Sequence, residues 1–363
     1  MSRVLLIKNA NLYAPDPKGI RDILIVDEKV FSVAEHIDPP ELSVPVEVVS
    51  ADGKTVIPGY VDQHVHVIGV LGTDGTGRHP ESLLAKVRGL ETEGISAYML
   101  TASYEIPLRT MTGDARRDII LIDKVLGIGE IALSDHRSSQ PTKDELKRIL
   151  TQARLGGMLS AKAGVVQFHM GIGKNGIQML FDILDETEIP PRHMIPTHVN
   201  RAPHLFEQAK ELARRGGYID ITSGIREQDG FTNCIKPSEA IRICMEEGVP
   251  MEQITMSSDG NGSMSVPLPD GGAKLLVTRL SSLHEEVRDA VKAGVPVEKA
   301  IRICGENPAR ANGLFSKKGC IRPGSDADLV ILDEEFLVDT VFARGQKMVE
   351  YGKALVKGTF ETD

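Results

Sequence analysis

Between residues 56 and 311, short apolar runs alternate with longer amphipathic stretches. The runs have the length of strands, whereas the longer stretches repeat their apolar residues with the period of a helix. This alternation is typical of βα units repeated around a parallel sheet. Strands are predicted at residues 56–61, 95–101, 126–133, 165–169, 194–198, 218–222 and 254–257.

A helix is predicted after most of these strands. The clearest one begins at Pro80, which suits a first helical turn, and stops at Gly94. The predicted helices cover residues 80–93, 142–155, 176–186, 203–215, 237–247, 275–293 and 297–311. Seven strands are one short of a (β/α)8 barrel, so we predict an α/β fold of the TIM-barrel type.

Both ends of the chain carry a different pattern, in which short β-type runs are separated by Pro, Gly and Asp. These runs lie at residues 4–7, 22–26, 29–33, 46–49, 324–333 and 338–356. We predict that the two ends form one small discontinuous β domain from residues 1–56 and 317–363, which flanks a barrel of residues 57–316.

Composition and charge narrow the function classes. The 363 residues are 41% hydrophobic and 26% charged, and the formal net charge of −9 comes without a basic run that would bind phosphates. Nucleic acid is therefore excluded as a partner, and no apolar segment is long enough for a membrane span or a secretory signal. We expect a cytoplasmic protein. Its four cysteines lack Cys-x-x-Cys spacing and are expected to be reduced thiols, so a metal site would depend on His and carboxylate ligands.

His64 and His66 end the first predicted strand, and their spacing directs both imidazoles to the same side. Two converging imidazoles supply half of a site for zinc or a related ion. In a barrel, catalytic groups lie at the C-terminal ends of the strands. Further candidates stand on or just past such strands, namely Tyr104, Glu130, His169, His198 and Asp259. Each of them alone is more often structural, but the set indicates a metal centre.

The segments around these residues resemble the metal-dependent amidohydrolase superfamily and, within it, the isoaspartyl (β-aspartyl) dipeptidase family. The His-x-His pair and the final Asp259 are generic to the superfamily. Thr-His-Val-Asn-Arg, which ends at Arg201, and Ser-Asp-Gly-Asn-Gly-Ser, which ends at Ser263, are far more particular to the dipeptidases. The resemblance covers nearly the whole chain and implies a metal-bearing (β/α)8 barrel beside a small β domain.

The resemblance also implies ligands for two divalent metal ions, with Zn2+ as the expected metal. The implied ligands of the more buried ion are His64, His66 and Asp259. Those of the more exposed ion are His169 and His198. Glu130 would bridge both ions, in the place where the family commonly has a carboxylated lysine.

The implied reaction is hydrolysis of a β-aspartyl dipeptide by a hydroxide that bridges the two metals. Asp259 would act as general base and then as general acid, and Tyr104 would donate a hydrogen bond to the developing oxyanion. Because the substrate carries two carboxylates, arginine side chains suit its pocket. The implied substrate-binding residues are Thr73, Tyr104, Arg137, Arg201 and Ser263. The family resemblance also implies a homo-oligomer.

The chain departs from the family after Gly69, which runs almost directly into residues 70–74, so the first βα unit is shortened. The family's glutamate that would hold the substrate's amino group is missing from this stretch. Two other functions therefore remain open. One is an amidohydrolase that opens cyclic amides, like dihydroorotase or hydantoinase, and the other is a catalytically silent scaffold.

Overall fold

The computed structural model describes residues 3–66, 80–102, 104–267 and 272–358. The strands are β1 (Val4–Tyr13), β2 (Pro17–Val26), β3 (Lys29–Ala34), β4 (Val46–Ser50), β5 (Thr55–Pro58), β6 (Met99–Thr101), β7 (Val125–Leu133), β8 (Val165–Met170), β9 (Met194–Thr197), β10 (Ile219–Thr222), β11 (Ile254–Ser257), β12 (Ser263–Pro267), β13 (Ala273–Val277), β14 (Leu329–Leu332), β15 (Val338–Ala343), β16 (Gln346–Glu350) and β17 (Lys353–Ala354). The helices are α1 (Pro80–Thr92), α2 (Ala115–Leu121), α3 (Lys143–Ser160), α4 (Gln178–Glu186), α5 (Pro203–Arg214), α6 (Pro237–Glu246), α7 (Ser282–Lys292), α8 (Val297–Ile303) and α9 (Glu306–Ala311). No helix within these ranges is both long and apolar enough to cross a membrane.

A parallel sheet forms the centre of the molecule. Its strands follow one another in chain order from β6 to β11, and each neighbouring pair is parallel. All nine residues of β7 are buried, as expected for a strand that is covered on both faces. This arrangement of βα units confirms the predicted α/β barrel class.

The segment that carries the first two histidines lies beside the last strand of this sheet. Val65 forms an isolated parallel bridge with Gly260, just past β11. The backbone N–H of His66 donates to the Gly260 carbonyl at 2.8 Å, and the N–H of Asp259 donates to the His64 carbonyl at 3.1 Å. These bonds bring the first and last predicted metal-binding segments together at one end of the barrel.

The two ends of the chain form one nine-stranded sheet, as predicted. Its order is β17-β16-β15-β14-β5-β1-β2-β3, and β4 pairs with β1. The N-terminal strand β5 joins the C-terminal strand β14 in antiparallel register. The predicted domain boundaries themselves stay predictions.

The prediction that residues 56–61 form the first barrel strand is wrong. The strand in this region, β5, ends at Pro58 and belongs to the terminal sheet. Val56 packs into the core of that sheet, whereas the next residue, Ile57, packs into the barrel core. Both side chains are fully buried, so the apolar run does not reveal which sheet the strand joins. The stretch with the predicted shortened βα unit, including Thr73, lies outside the described residues.

Two predicted helices also differ from the structure. Residues 273–277 form β13, which pairs with β12 in an antiparallel hairpin, and α7 begins only at Ser282. The helix predicted at residues 297–311 is divided into α8 and α9 around Gly305. Pro308 explains the division, since it lacks a backbone N–H and fits the first turn of a new helix better than the interior of a long one.

Candidate active site

Sharp backbone turns follow the strands that carry the candidate ligands. His198 and Asp259 have φ angles of 64° and 52°, and Ser134, just after β7, has a φ of 51°. The left-handed region is uncommon for residues with a side chain and costs about 1–3 kcal/mol per residue. Such conformations cluster at functional sites, where the surrounding structure maintains them.

The first donor group consists of His64, His66 and Asp259, whose ligand atoms lie within 4.8 Å of one another. The Nε2 atom of His66 lies 2.9 Å from Asp259 Oδ1 and 3.3 Å from His64 Nε2. His64 Nε2 is 3.5 Å from the same carboxylate oxygen. Two imidazoles and one carboxylate with converging lone pairs fit a divalent ion such as zinc.

The second donor group shares His64 and adds Glu130 and His198. The Oε2 atom of Glu130 lies 3.7 Å from His64 Nε2 and 3.6 Å from His198 Nε2. This oxygen is buried and has no hydrogen-bond partner. Since a buried carboxylate oxygen without a partner is costly, the arrangement fits a cation between the oxygen and the imidazoles.

The charges of the site favour a bound cation. Burial opposes ionisation, yet the surrounding histidines hold the pKa values of Glu130 and Asp259 below their usual range. Burial would lower the pKa of His64, but these two carboxylates raise it to about 9. Burial and the nearby Arg201 lower the pKa of His198 to about 3, which keeps that imidazole in the neutral form that binds metals.

Two of the histidines are oriented by a polar side chain that contacts Nδ1, the ring nitrogen that points away from Glu130. His64 Nδ1 donates to Gln167 Oε1 at 2.9 Å, and His198 Nδ1 lies 2.7 Å from Thr222 Oγ1. Gln167 and Thr222 are both buried. Partners of this kind fix the tautomer and the ring orientation of metal ligands. In each ring, the nitrogen that faces Glu130 therefore remains available for a metal.

His169 contacts the site through Nδ1, which lies 3.4 Å from Glu130 Oε2. It is not a member of either donor group, which together contain the other five predicted ligands. The hydroxyl of Tyr104 is 2.8 Å from the same Nδ1 atom. Burial and the charge of Glu130 raise the pKa of Tyr104 above its usual range, so the hydroxyl keeps its proton.

The predicted substrate-binding arginines converge on the other nitrogen of His169. Nη2 of Arg137 lies 3.1 Å from His169 Nε2, and Nη1 of Arg201 lies 3.2 Å from it. Asp135 Oδ2 faces the same nitrogen at 3.2 Å. Arg201 also donates to the Met170 carbonyl at 3.0 Å. The structure therefore gathers both arginines at one edge of the candidate metal centre.

Ser263 is half-buried at the start of β12, four residues after Asp259 in the chain. Gly262 lies between them and packs against the site so closely that a Cβ there would be 2.7 Å from both His66 Cδ2 and Asp259 Oδ1. This contact explains the glycine at that position. Thr73, the remaining predicted contact, is outside the described ranges.

Sequence reasoning missed several supporting residues that precede a functional residue by two positions in the chain. Asp62 precedes His64, and its carboxylate accepts hydrogen bonds from the backbone N–H and the hydroxyl of Ser258, which joins the first and last site segments. Gln167 precedes His169 in the same way. In extended backbone, residues i and i+2 face the same side, so this spacing was a usable signal.

Comparison with known proteins agrees with this geometry. Residues 96–350 match the model of the amidohydrolase family. The chain belongs to the amidohydrolase family. A solved β-aspartyl dipeptidase from Fervidobacterium islandicum AW-1, in complex with β-Asp-Leu dipeptide, is 39% identical with a TM-score of 0.90 and covers 99% of this chain and 100% of its own. A second structure of that enzyme is 38% identical with a TM-score of 0.87 and the same coverage.

Among sequence relatives of this amidohydrolase, an L-hydantoinase from Paenarthrobacter aurescens is 35% identical over 91% of this chain and 85% of its own length. The predicted isoaspartyl dipeptidase family is confirmed, and so is the enzyme class, a hydrolase that acts on peptide bonds. Amidohydrolases are metal-dependent, which agrees with the two donor groups. The individual roles of the site residues stay predictions.

Proposed function

We propose that this amidohydrolase is a dinuclear metal-dependent dipeptidase that hydrolyses β-aspartyl dipeptides. The observation that carries the proposal is the pair of donor groups that share His64, with a buried, unpartnered oxygen of Glu130 facing both His64 and His198. The β-Asp-Leu complex of the 39% identical dipeptidase supports the choice of substrate.

Two divalent cations, zinc in this proposal, would supply an activated water and polarise the scissile carbonyl. The residues that would hold them are His64, His66, Glu130, His169, His198 and Asp259. Asp259 lies among the imidazoles, and its lowered pKa keeps it ionised and able to accept a proton. The same carboxyl group would then protonate the leaving amine.

Tyr104 is proposed to stabilise the oxyanion of the tetrahedral intermediate. Its hydroxyl keeps its proton and lies at the edge of the donor groups, 2.8 Å from His169 Nδ1. An oxyanion donor of this kind contributes about 3–4 kcal/mol in other hydrolases.

Arg137 and Arg201 are proposed to bind the carboxylates of the substrate, with Thr73 and Ser263 as further contacts. Both guanidinium groups lie within 3.2 Å of His169 Nε2, so they present positive charge next to the reaction centre. Three of the proposed metal ligands, His64, His66 and Glu130, line a pocket of about 620 Å³. A volume of this size suits a small ligand.

A hydrolysis assay with β-Asp-Leu, run with and without a metal chelator, tests this proposal. We expect chelation, Glu130→Ala and Asp259→Asn each to abolish turnover, while α-Asp-Leu is cleaved poorly or not at all. A wild-type rate that survives complete metal removal contradicts the proposal.

The 35% identity to an L-hydantoinase makes a cyclic amide the second candidate substrate. Hydantoin and dihydroorotate therefore belong in the same assay. Opening of either ring at a higher rate than β-Asp-Leu hydrolysis would favour the hypothesis of a cyclic-amide hydrolase. Failure to retain two equivalents of zinc, together with no turnover of any substrate, would favour a silent scaffold.

We also propose that the protein is cytoplasmic and assembles as a homo-oligomer. The four cysteines are all free thiols, which supports a reducing compartment. Leu155, Met158 and Leu159 expose apolar side chains on one face of α3, which supports contact with another copy. Cell fractionation and light scattering of the purified protein test these two points.

A further inference from the structure

Asp135 lies between two parts of the site that have separate tasks. Its carboxylate pairs with both ends of the Arg137 fork, with Nε 3.0 Å from Oδ1 and Nη2 2.9 Å from Oδ2. The backbone N–H of Arg137 donates to the same Oδ1 at 2.8 Å. The side chain of Asp135 is 6% exposed, whereas that of Arg137 is 48% exposed, so the guanidinium is accessible from solvent while the carboxylate that holds it is buried. The guanidinium is therefore fixed in one orientation at the edge of the site.

The same carboxylate faces a candidate metal ligand. His169 presents Nδ1 to Glu130 Oε2 at 3.4 Å, so Nδ1 is the nitrogen available to a cation. A ring that binds a cation through Nδ1 must carry its proton on Nε2. Three side chains lie within 3.2 Å of Nε2, those of Asp135, Arg137 and Arg201, and of these only the carboxylate accepts a hydrogen bond.

We propose that Asp135 is a shared positioning residue, which fixes the metal-binding tautomer of His169 and holds the guanidinium of Arg137 for the substrate carboxylate. The supporting partners of His64 and His198 are the neutral side chains Gln167 and Thr222, so the charged partner distinguishes His169 from these two ligands. One carboxylate thereby couples metal binding to substrate binding. The part that concerns Arg137 rests on the proposed dipeptidase function, whereas the part that concerns His169 does not.

Zinc titration of the chelator-treated protein against a competing fluorescent chelator tests the first part without any substrate. Partners of this kind affect metal affinity by about 10–100-fold. We therefore expect Asp135→Asn to weaken one zinc equivalent by about that factor. Asp144→Asn is the matched control, because that aspartate is 74% exposed and its ion pair is with Lys147 on the surface. Equal zinc affinity of Asp135→Asn and the control would overturn the inference.

Steady-state kinetics with β-Asp-Leu at saturating zinc test the second part. Asp135→Asn and Arg137→Ala should each raise KM. The double variant should have a KM no higher than that of Arg137→Ala alone. An additive increase would show that the two side chains act independently and would refute the coupling. If the wild type binds zinc but does not cleave β-Asp-Leu, the proposed function fails, and the zinc titration alone decides the role of Asp135.

The tautomer of His169 gives a readout that needs no variant of Asp135. Two-dimensional ¹⁵N–¹H spectra of zinc-loaded, ¹⁵N-histidine-labelled wild-type protein distinguish the two neutral tautomers, with the signal assigned by its loss in His169→Gln. We expect the proton on Nε2. A proton on Nδ1 would overturn the proposal even if Asp135→Asn cannot be purified.

Discussion

Thr222→Val removes a single hydroxyl behind a candidate metal ligand and leaves the shape of the side chain almost unchanged. The hydroxyl lies 2.7 Å from Nδ1 of His198, and both residues are at most 1% exposed. The backbone of Thr222 is held independently by Asn200, whose side chain accepts its N–H at 2.9 Å and donates to its carbonyl at 3.2 Å. The variant therefore changes the partner of the imidazole without releasing the end of β10.

The expected loss follows from leaving Nδ1 of the buried His198 with only the longer 3.5 Å contact to Thr197 Oγ1 in place of its partner at 2.7 Å. An unsatisfied buried donor costs about 1–3 kcal/mol, which corresponds to about 5–150-fold in an equilibrium constant. Loss of a ligand's supporting partner lowers metal affinity by about 10–100-fold, within the same range. We expect zinc affinity to fall by about this factor in Thr222→Val.

Competition with a fluorescent zinc chelator, followed by hydrolysis rates as a function of free zinc, measures this effect. Thr255→Val is the matched control, because Thr255 is equally buried but its hydroxyl donates to Asp220 at 2.8 Å and contacts no site histidine. Both variants should unfold at lower urea concentration than the wild type. Only Thr222→Val should need more zinc for half-maximal rate, and a similar zinc dependence in both variants would refute the reasoning.

Three further predictions concern stability and geometry. Metal removal should lower the melting temperature measured by calorimetry, and zinc should restore it, because the ion binds the folded state and satisfies Glu130; an unchanged melting temperature would argue against a structural contribution of the metal. Burial raises the pKa of Asp220 to about 6 from 3.8, so its contribution to stability is present below pH 3.8 and is lost as the pH rises through 6. Urea unfolding in the presence of chelator should therefore show that the free energy of unfolding of Asp220→Asn rises relative to that of the wild type, by about 3 kcal/mol, as the pH is raised from below 3.8 to above 6. A difference that does not depend on pH would contradict this. Gly262→Ala should lower kcat by about 100-fold, because the added Cβ would lie only 2.7 Å from Asp259 Oδ1 and from His66 Cδ2 and would displace both side chains, whereas Gly89→Ala, which meets nothing within 4 Å, should retain the wild-type rate.

The sequence alone predicted the groups that line the site, because the strand-end position of a residue is a local property. His169 ends an apolar run whose strand forms as expected, and His198 directly follows another. Once such runs become neighbouring parallel strands, their last residues must meet at one end of the barrel. The fold class and the candidate ligands were therefore accessible from spacing and residue type.

Only the tertiary structure decided which sheet each apolar run joins and how the polar groups share partners. Val56 packs into the core of the terminal sheet and Ile57 into the barrel core. This arrangement depends on the pairing of β5 with β14, which lies far away in the sequence. Likewise, nothing in the spacing of Asp135 shows that one carboxylate contacts both His169 and Arg137. Periodicity reports which side of a strand a residue occupies, whereas its partner across space is set by long-range packing that local sequence does not encode.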